Sequence, residues 1–241
     1  MSGPSTARGP SAAIARALLF ALAALAAIAF GWLLWIAAHI GWYRYYPPGE
    51  TAFMAERMAE ARAKNPKATV RYRWVPYARI SPNLKRAMVA AEDAKFTDHG
   101  GFDWDGIENA LEKNRRKGQV VAGGSTITQQ LAKNLFLSPA RSYLRKGAEA
   151  VITVLLEAML PKRRILELYL NVIEWGNGVF GAEAAAQRYF GVTAADLSAE
   201  QAARLAAMAP SPRLFERRPD SSYLAGRAST ILARMPAAAI P

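Results

Sequence analysis

GGSTITQQLAKN, residues Gly123 to Asn134, sets two glycines, hydroxyls, two glutamines and a lysine at the opening of a helix whose apolar stripe is Ile127, Leu131 and Leu135. Packing alone does not call for that mixture. A glycine-rich turn leaves backbone N–H groups unpaired at a helix start, where the dipole favours anions. Gly123, Gly124, Ser125 and Thr126 are therefore candidates to cradle a phosphate or a sugar, with Gln129, Gln130 and Lys133 on adjoining faces of the same helix. The plainer alternative is a capped surface helix behind a Gly-Gly turn. The residues around it have to decide.

The chain has 241 residues, room for one domain of fair size and an appendage. It lacks cysteine, which excludes disulfides and cysteine metal sites. Thirty-one Lys and Arg against nineteen Asp and Glu give a net charge of +12, which calls for an anionic partner. From Ala17 to Ala38 the sequence ALLFALAALAAIAFGWLLWIAA contains no charge, close to the roughly twenty apolar residues that span a bilayer core. Arg8 and Arg16 precede it, and Trp32, Trp35, Trp42, Tyr43, Tyr45 and Tyr46 gather toward its other end like an interfacial belt. A cleaved signal peptide is the competing reading, but the run exceeds the usual apolar region of such peptides and no small-x-small site ends it. The expected organisation is a cytoplasmic tail over 1–16, a transmembrane anchor over 17–40 and an extracytoplasmic domain over 41–241. A nucleic-acid partner is not expected.

Beyond Pro47, Pro48 and Gly49, Thr51 to Lys64 reads as an amphipathic helix with Phe53, Met54 and Met58 as its apolar members, and Arg71 to Ile80 as extended. Ser81-Pro82 is a cap and first-turn pair. From there helical periodicity predicts helices over Pro82 to Ala94, Trp104 to Arg116, Ser125 to Phe136, Ser142 to Leu160, Lys162 to Val172, Gly181 to Phe190, Ser198 to Met208 and Ser221 to Met235. The Ser142 helix is the most apolar, with Leu144, Ala148, Val151, Ile152, Leu155, Leu156 and Met159 in register, and is expected to cross the core.

Two glutamates stand out. Glu92 lies in EDAKFTDHGG, beside an aromatic and at the entry to a loop, surroundings that raise a carboxyl pKa toward general-base duty. Taken alone, Glu92 and Asp93 read rather as solvated helix-end acids. Glu149 shares a helix face with Arg145, either as an ordinary ion pair or, with Arg141, Lys146 and Lys133 nearby in sequence, as part of a cationic cluster suited to a pyrophosphate.

EDAKFTDHGG, GGSTITQQLAKN, RKGAE and KRRILELYLN, in that order and spacing, resemble the signature motifs of the peptidoglycan glycosyltransferases, family 51. VPYARIS before them and GVFGAEAAAQRYFG after them resemble the monofunctional biosynthetic transglycosylases in particular, over about Phe53 to Arg218. The resemblance implies a mainly α, lysozyme-like domain with a large lobe and a small membrane-facing jaw lobe, preceded by one transmembrane helix. It implies polymerisation of lipid II with inversion, Glu92 as general base and Glu149 as the second catalytic glutamate. Lys133, Arg145 and Lys146 would bind the donor diphosphate, helped by Ser125, Thr126, Gln129, Gln130 and Arg141. Lys162, Glu167, Tyr169 and Asn171 belong to a motif expected to support the cleft. The family leaves room for a divalent cation, Mg2+ or Mn2+, whose ligands are not assigned, and for no organic cofactor.

The implied partners are lipid II, the growing glycan strand, membrane lipid and cell-wall synthesis or division proteins, and the implied place is the periplasmic side of an inner membrane. Glycan strands without cross-linking are the expected product. A lysozyme-like hydrolase or lytic enzyme is the nearest rival, but it has no need of Lys133, Arg145 and Lys146 around a diphosphate. A non-catalytic anchored partner of a larger synthase is the third reading.

Overall fold

A computed structural model describes residues 10–119, 123–140 and 142–241, with side chains from Ile14 onward. Its helices and strands in chain order are α1 (Pro10–Tyr43), α2 (Ala52–Lys64), β1 (Arg71–Tyr72), α3 (Pro82–Glu92), α4 (Trp104–Lys117), α5 (Ile127–Phe136), α6 (Tyr143–Met159), α7 (Lys162–Val172), β2 (Glu174–Gly176), β3 (Val179–Phe180), α8 (Ala182–Phe190), α9 (Ala199–Met208), α10 (Pro212–Arg217) and α11 (Ser222–Arg234). The mainly α architecture is the one expected.

α1 is long and apolar enough to cross a membrane, and it extends past both ends of the expected 17–40 span. Its outer two thirds carry exposed Leu18, Phe20, Leu25, Ile28 and Phe30, while Ile36 and Ile40 are buried. That lower end docks on the domain. Trp35 meets Phe136 edge-on at 6.1 Å, the Arg44 guanidinium donates to Met159 O at 2.7 Å, and Arg164 donates to Tyr43 O and Tyr46 O.

The core is built around α5, which packs against α2, α6 and α7, and around α3, which packs against α9 and α11. Several of these helices start on a side-chain cap. Ser81 accepts from Asn83 N and puts Pro82 in the first turn of α3, where a missing N–H costs nothing. Asp103, Thr126, Ser142 and Ser198 cap α4, α5, α6 and α9 in the same way. The three short strands pair in the order β1-β3-β2, β1 parallel and β2 antiparallel to β3. Gly181 closes this corner at φ +82, where a Cβ would lie 2.5 Å from Asn171 O.

Several expectations need correction. α3 stops at Glu92 rather than Ala94, because Asp93 leaves the helix at φ −162. α5 and α6 begin at Ile127 and Tyr143, their expected first residues serving before or as the cap. Arg71 to Ile80 contributes only the two residues of β1 and a 3-10 turn over Tyr77–Arg79, and α10 was not anticipated. The largest correction concerns α6. Its buried residues are Glu149, Ile152, Thr153 and Leu156, whereas Leu144 is 88% exposed and Val151 and Val154 stand outside. The helix is apolar on two faces, and only one of them meets α5. α4 also stands off, with Ala110 its one buried side chain, and with Trp104 and Leu111 exposed.

Candidate active site

Glu92 closes α3 in a pocket made by three other helices. Its Oε2 accepts from Gln130 Nε2 at 2.8 Å, and Gln130 Oε1 in turn accepts from the hydroxyl of Tyr169 at 3.0 Å. Tyr169 is fully buried on α7, so the amide cannot turn without losing a partner. On the other side, Arg227 Nη2 lies 3.5 Å from Oε1. Burial pushes the Glu92 carboxyl above its ordinary range, while the Gln130 bond and then the Arg227 and Lys133 charges pull it back.

Asp93 has a different task. Its Oδ2 accepts from Ile127 N at 3.0 Å, and Oδ1 lies 2.9 Å from His99 Nε2. His99 Nδ1 accepts from Gly101 N, which leaves the ring proton on Nε2, facing Asp93. An acid at a helix N-terminus is favoured by the dipole. Asp93 thus occupies the start of α5, the place where the sequence suggested an outside anion. Two further donors at this helix start are also used: Thr126 Oγ1 accepts from Gln129 N, and Gln129 Oε1 accepts from Thr126 N, a complete capping box.

The GGSTITQQLAKN segment is therefore corrected in part. Thr126 and Gln129 are buried in the cap, and Thr126 Oγ1 donates onward to Gly101 O. Gly124 is small for a steric reason, since a Cβ there would lie 3.0 Å from Ile107 Cα on α4. Gly123, Gly124 and Ser125 do face Glu92, lining with Ala90 and Asp103 a cavity of 180 Å³.

On the far side of Gln130 opens a second cavity of 320 Å³, walled by Gln130, Lys133, Arg145, Arg57, Tyr169 and Glu174 among others. The Lys133 ammonium sits 5.6 Å from the Phe53 ring centre, on the wall of this cavity. Burial lowers its pKa, an effect that Glu149 opposes and that Arg145, Arg57 and Lys146 reinforce. Glu149 is buried, accepts from Arg145 Nη1 at 2.6 Å and is also paired with Lys146. Arg145 Nε is buried without a partner among the described residues. Arg141 lies outside the described residues. A larger cavity of 570 Å³ lies between α2 and α10, but it holds neither Glu92 nor Lys133. Placement of charge, not volume, picks out the site.

Sequence reasoning missed several residues here. Tyr169 was read as scaffold, and it holds the amide that holds Glu92. The structure gives Glu167 and Asn171 the scaffold role expected: Glu167 accepts from Tyr77 N, and Asn171 pairs with both backbone groups of Val75. Phe53 was read only as an apolar member of its helix, and Arg57, Glu174 and Arg227 had no signal beyond their residue type. Among the described residues no three His, Asp or Glu side chains stand together as metal ligands, and Glu149 is already matched by two cations. The side chains in place do not form a cage for a divalent ion.

A family model described as Transglycosylase matches residues 59–236, a span that contains Glu92, Lys133, Glu149 and Arg227. The protein named biosynthetic peptidoglycan transglycosylase in Dechloromonas aromatica (strain RCB) is 59% identical over 210 residues, 87% of this chain and 91% of that one. The protein of the same name in Azoarcus sp. (strain BH72) is 57% identical over 228 residues, 95% of this chain and 96% of its own. In Chromobacterium violaceum the figure is 54% over 228 residues, spanning the whole of that protein. This chain belongs to the transglycosylase family, in its biosynthetic peptidoglycan branch, and is a glycosyltransferase.

Proposed function

We propose that this enzyme polymerises lipid II, with Glu92 as the general base. In this reading the Glu92 carboxylate takes the proton of the acceptor's GlcNAc 4-hydroxyl, whose oxygen attacks the anomeric carbon of the donor strand's MurNAc. The bond from that carbon to the pyrophosphate breaks in the same displacement. The configuration inverts from α to β, and undecaprenyl pyrophosphate leaves.

The observation that carries the reading is the position of Gln130 and Lys133, one turn apart on α5. Gln130 grips Glu92, and Lys133 lines the same cavity as Arg145. One rigid helix that both grips the base and carries a cation of the wall suits a reaction that deprotonates at one end and gathers negative charge at the other. Arg145, with Lys146 beside it, is held by Glu149, whose role is to aim these cations at the diphosphate. Ser125 borders the Glu92 cavity on the acceptor side.

The positive flank of Arg8 and Arg16 supports a cytoplasmic N-terminus with the catalytic domain outside the inner membrane. The exposed apolar faces of α4 and α6, on the same chain as α1, support contact of this part with lipid. Cell-wall synthesis or division proteins are the expected protein partners.

Turnover of labelled lipid II by the purified full-length protein is the test. Polymer from the wild type and none from Glu92→Gln supports the reading. Cleavage of preformed glycan instead would indicate a hydrolase, and inactivity on both substrates a scaffold.

A further inference from the structure

The surroundings of Glu92 include one residue from the far end of the chain. Arg227 projects from the second turn of α11, a helix packed on both α3 and α9, so its guanidinium reaches the carboxylate from a firm support. The Arg227 side chain is 29% exposed against 12% for Glu92, and Nη2 to Oε1 is 3.5 Å. Arg227 Nε is buried with no hydrogen-bond partner among the described residues. A guanidinium kept in such a place is costly unless a nearby charge offsets it. Glu92 is its ion-pair partner among the described residues.

The two oxygens of Glu92 are thus treated unequally. Oε2 is fixed by a short bond to a neutral amide that Tyr169 holds from behind. Oε1 faces a cation at a distance long enough to leave a lone pair for another donor. We propose that Arg227 is a positioning residue for Glu92, keeping the carboxylate ionised and turned so that Oε1 receives the proton of the acceptor hydroxyl. This rests on Glu92 being the base.

The other charged or titratable groups facing Glu92 are Asp93 at the end of its own helix, Lys133 from α5 and Tyr169 from α7. The buried residues of α9 are alanines, a leucine and a methionine, and the 3-10 turn Met235–Ala237, which also packs on α3, carries no titratable side chain. Arg227 is therefore the cation nearest Glu92 that does not also belong to the wall around Lys133. Burial raises the carboxyl; after the Gln130 bond, Arg227 is the next influence that lowers it.

The experiment compares Arg227→Gln, Arg227→Lys and Glu92→Gln in the full-length protein, following lipid II turnover against pH and thermal unfolding of each variant. Loss of the cation raises the Glu92 pKa, so the acid limb of kcat should move to higher pH. For Arg227→Gln the expected result is kcat down about tenfold, the limb up by about half to one pH unit, and KM within about twofold. Arg227→Lys should return the limb to near its wild-type position. Wild-type kcat in Arg227→Gln, or a loss of kcat with the limb unmoved, overturns the proposal. Should the glutamine variant not fold, Arg227→Lys decides: a limb in place with kcat several-fold lower supports positioning, and a shifted limb or unchanged kcat overturns it. Turnover by Glu92→Gln would instead overturn the base assignment beneath it.

Discussion

Glu92, on α3, and Glu149, on α6, are both acids largely withdrawn from solvent, yet their surroundings differ. Glu149 is matched by two cations, Arg145 and Lys146, one of them at 2.6 Å. Glu92 has a neutral amide at 2.8 Å and a cation no closer than 3.5 Å. A carboxylate saturated with cations is a poor proton acceptor and a good tether. One whose ionised form is left short of compensation can take up a proton when a hydroxyl arrives. The contrast divides labour between two residues of the same type, by environment alone.

The largest effect expected is on turnover. Glu92→Gln should lower kcat for lipid II by about 10²- to 10⁴-fold with the fold intact, since proton transfer to a placed base contributes on that scale. Measured activity within tenfold of wild type would erase the distinction between the two acids. Glu149→Ala should act on the fold first. Removing one partner of a buried pair leaves Arg145 uncompensated, and because Lys146 is half in solvent the loss should be about 2–3 kcal/mol in a denaturant melt.

Lys133→Ala should raise the KM for the donor by about tenfold, near 1.4 kcal/mol, with little change in melting temperature. If neither Lys133→Ala nor Arg145→Ala alters the kinetics, the diphosphate assignment is lost. Gln129→Ala should behave in the opposite way, costing about 1 kcal/mol of stability through the lost capping box and leaving KM near wild type.

The smallest expected effect is on stability against pH. Because the folded Glu92 has a raised pKa, the native state holds its proton more tightly than the unfolded chain does. Its contribution to stability is therefore greatest in acid and declines as pH rises from the ordinary carboxylate range to the folded value. Glu92→Gln should accordingly melt slightly higher than wild type at pH 7, and the gain should vanish in acid. A mutant that melts lower at neutral pH would mean that the Arg227 pairing outweighs the burial.

Much of this was legible in the residues. The helices followed from their apolar spacing, and their starts from Ser81, Thr126, Ser142 and Ser198, because caps are local chemistry. The two glutamates and the Lys133 to Lys146 cations were legible through motif order. What the sequence hid was whatever depended on a distant segment. Nothing local says that Asp93 fills the start of α5, thirty-odd residues on, so the glycine-rich turn looked open to an outside anion. Nor does periodicity say which apolar face of α6 the core will take, since two were on offer. Gln129 and Gln130 are adjacent and chemically the same. One completes a cap and the other holds Glu92, and only the approach of Thr126 and of Tyr169 separates them.

The fastening of α1 has a consequence of its own. Arg44, just past the end of this helix, donates to Met159 O, and Arg164 of α7 donates to Tyr43 O and Tyr46 O, while Ile36 and Ile40 sink into the domain, which makes the anchor a mast rather than a leash. The heading of the cleft is then geared to helix rotation: one residue inserted near Ile28 would turn everything on one side of it by about 100° relative to the other.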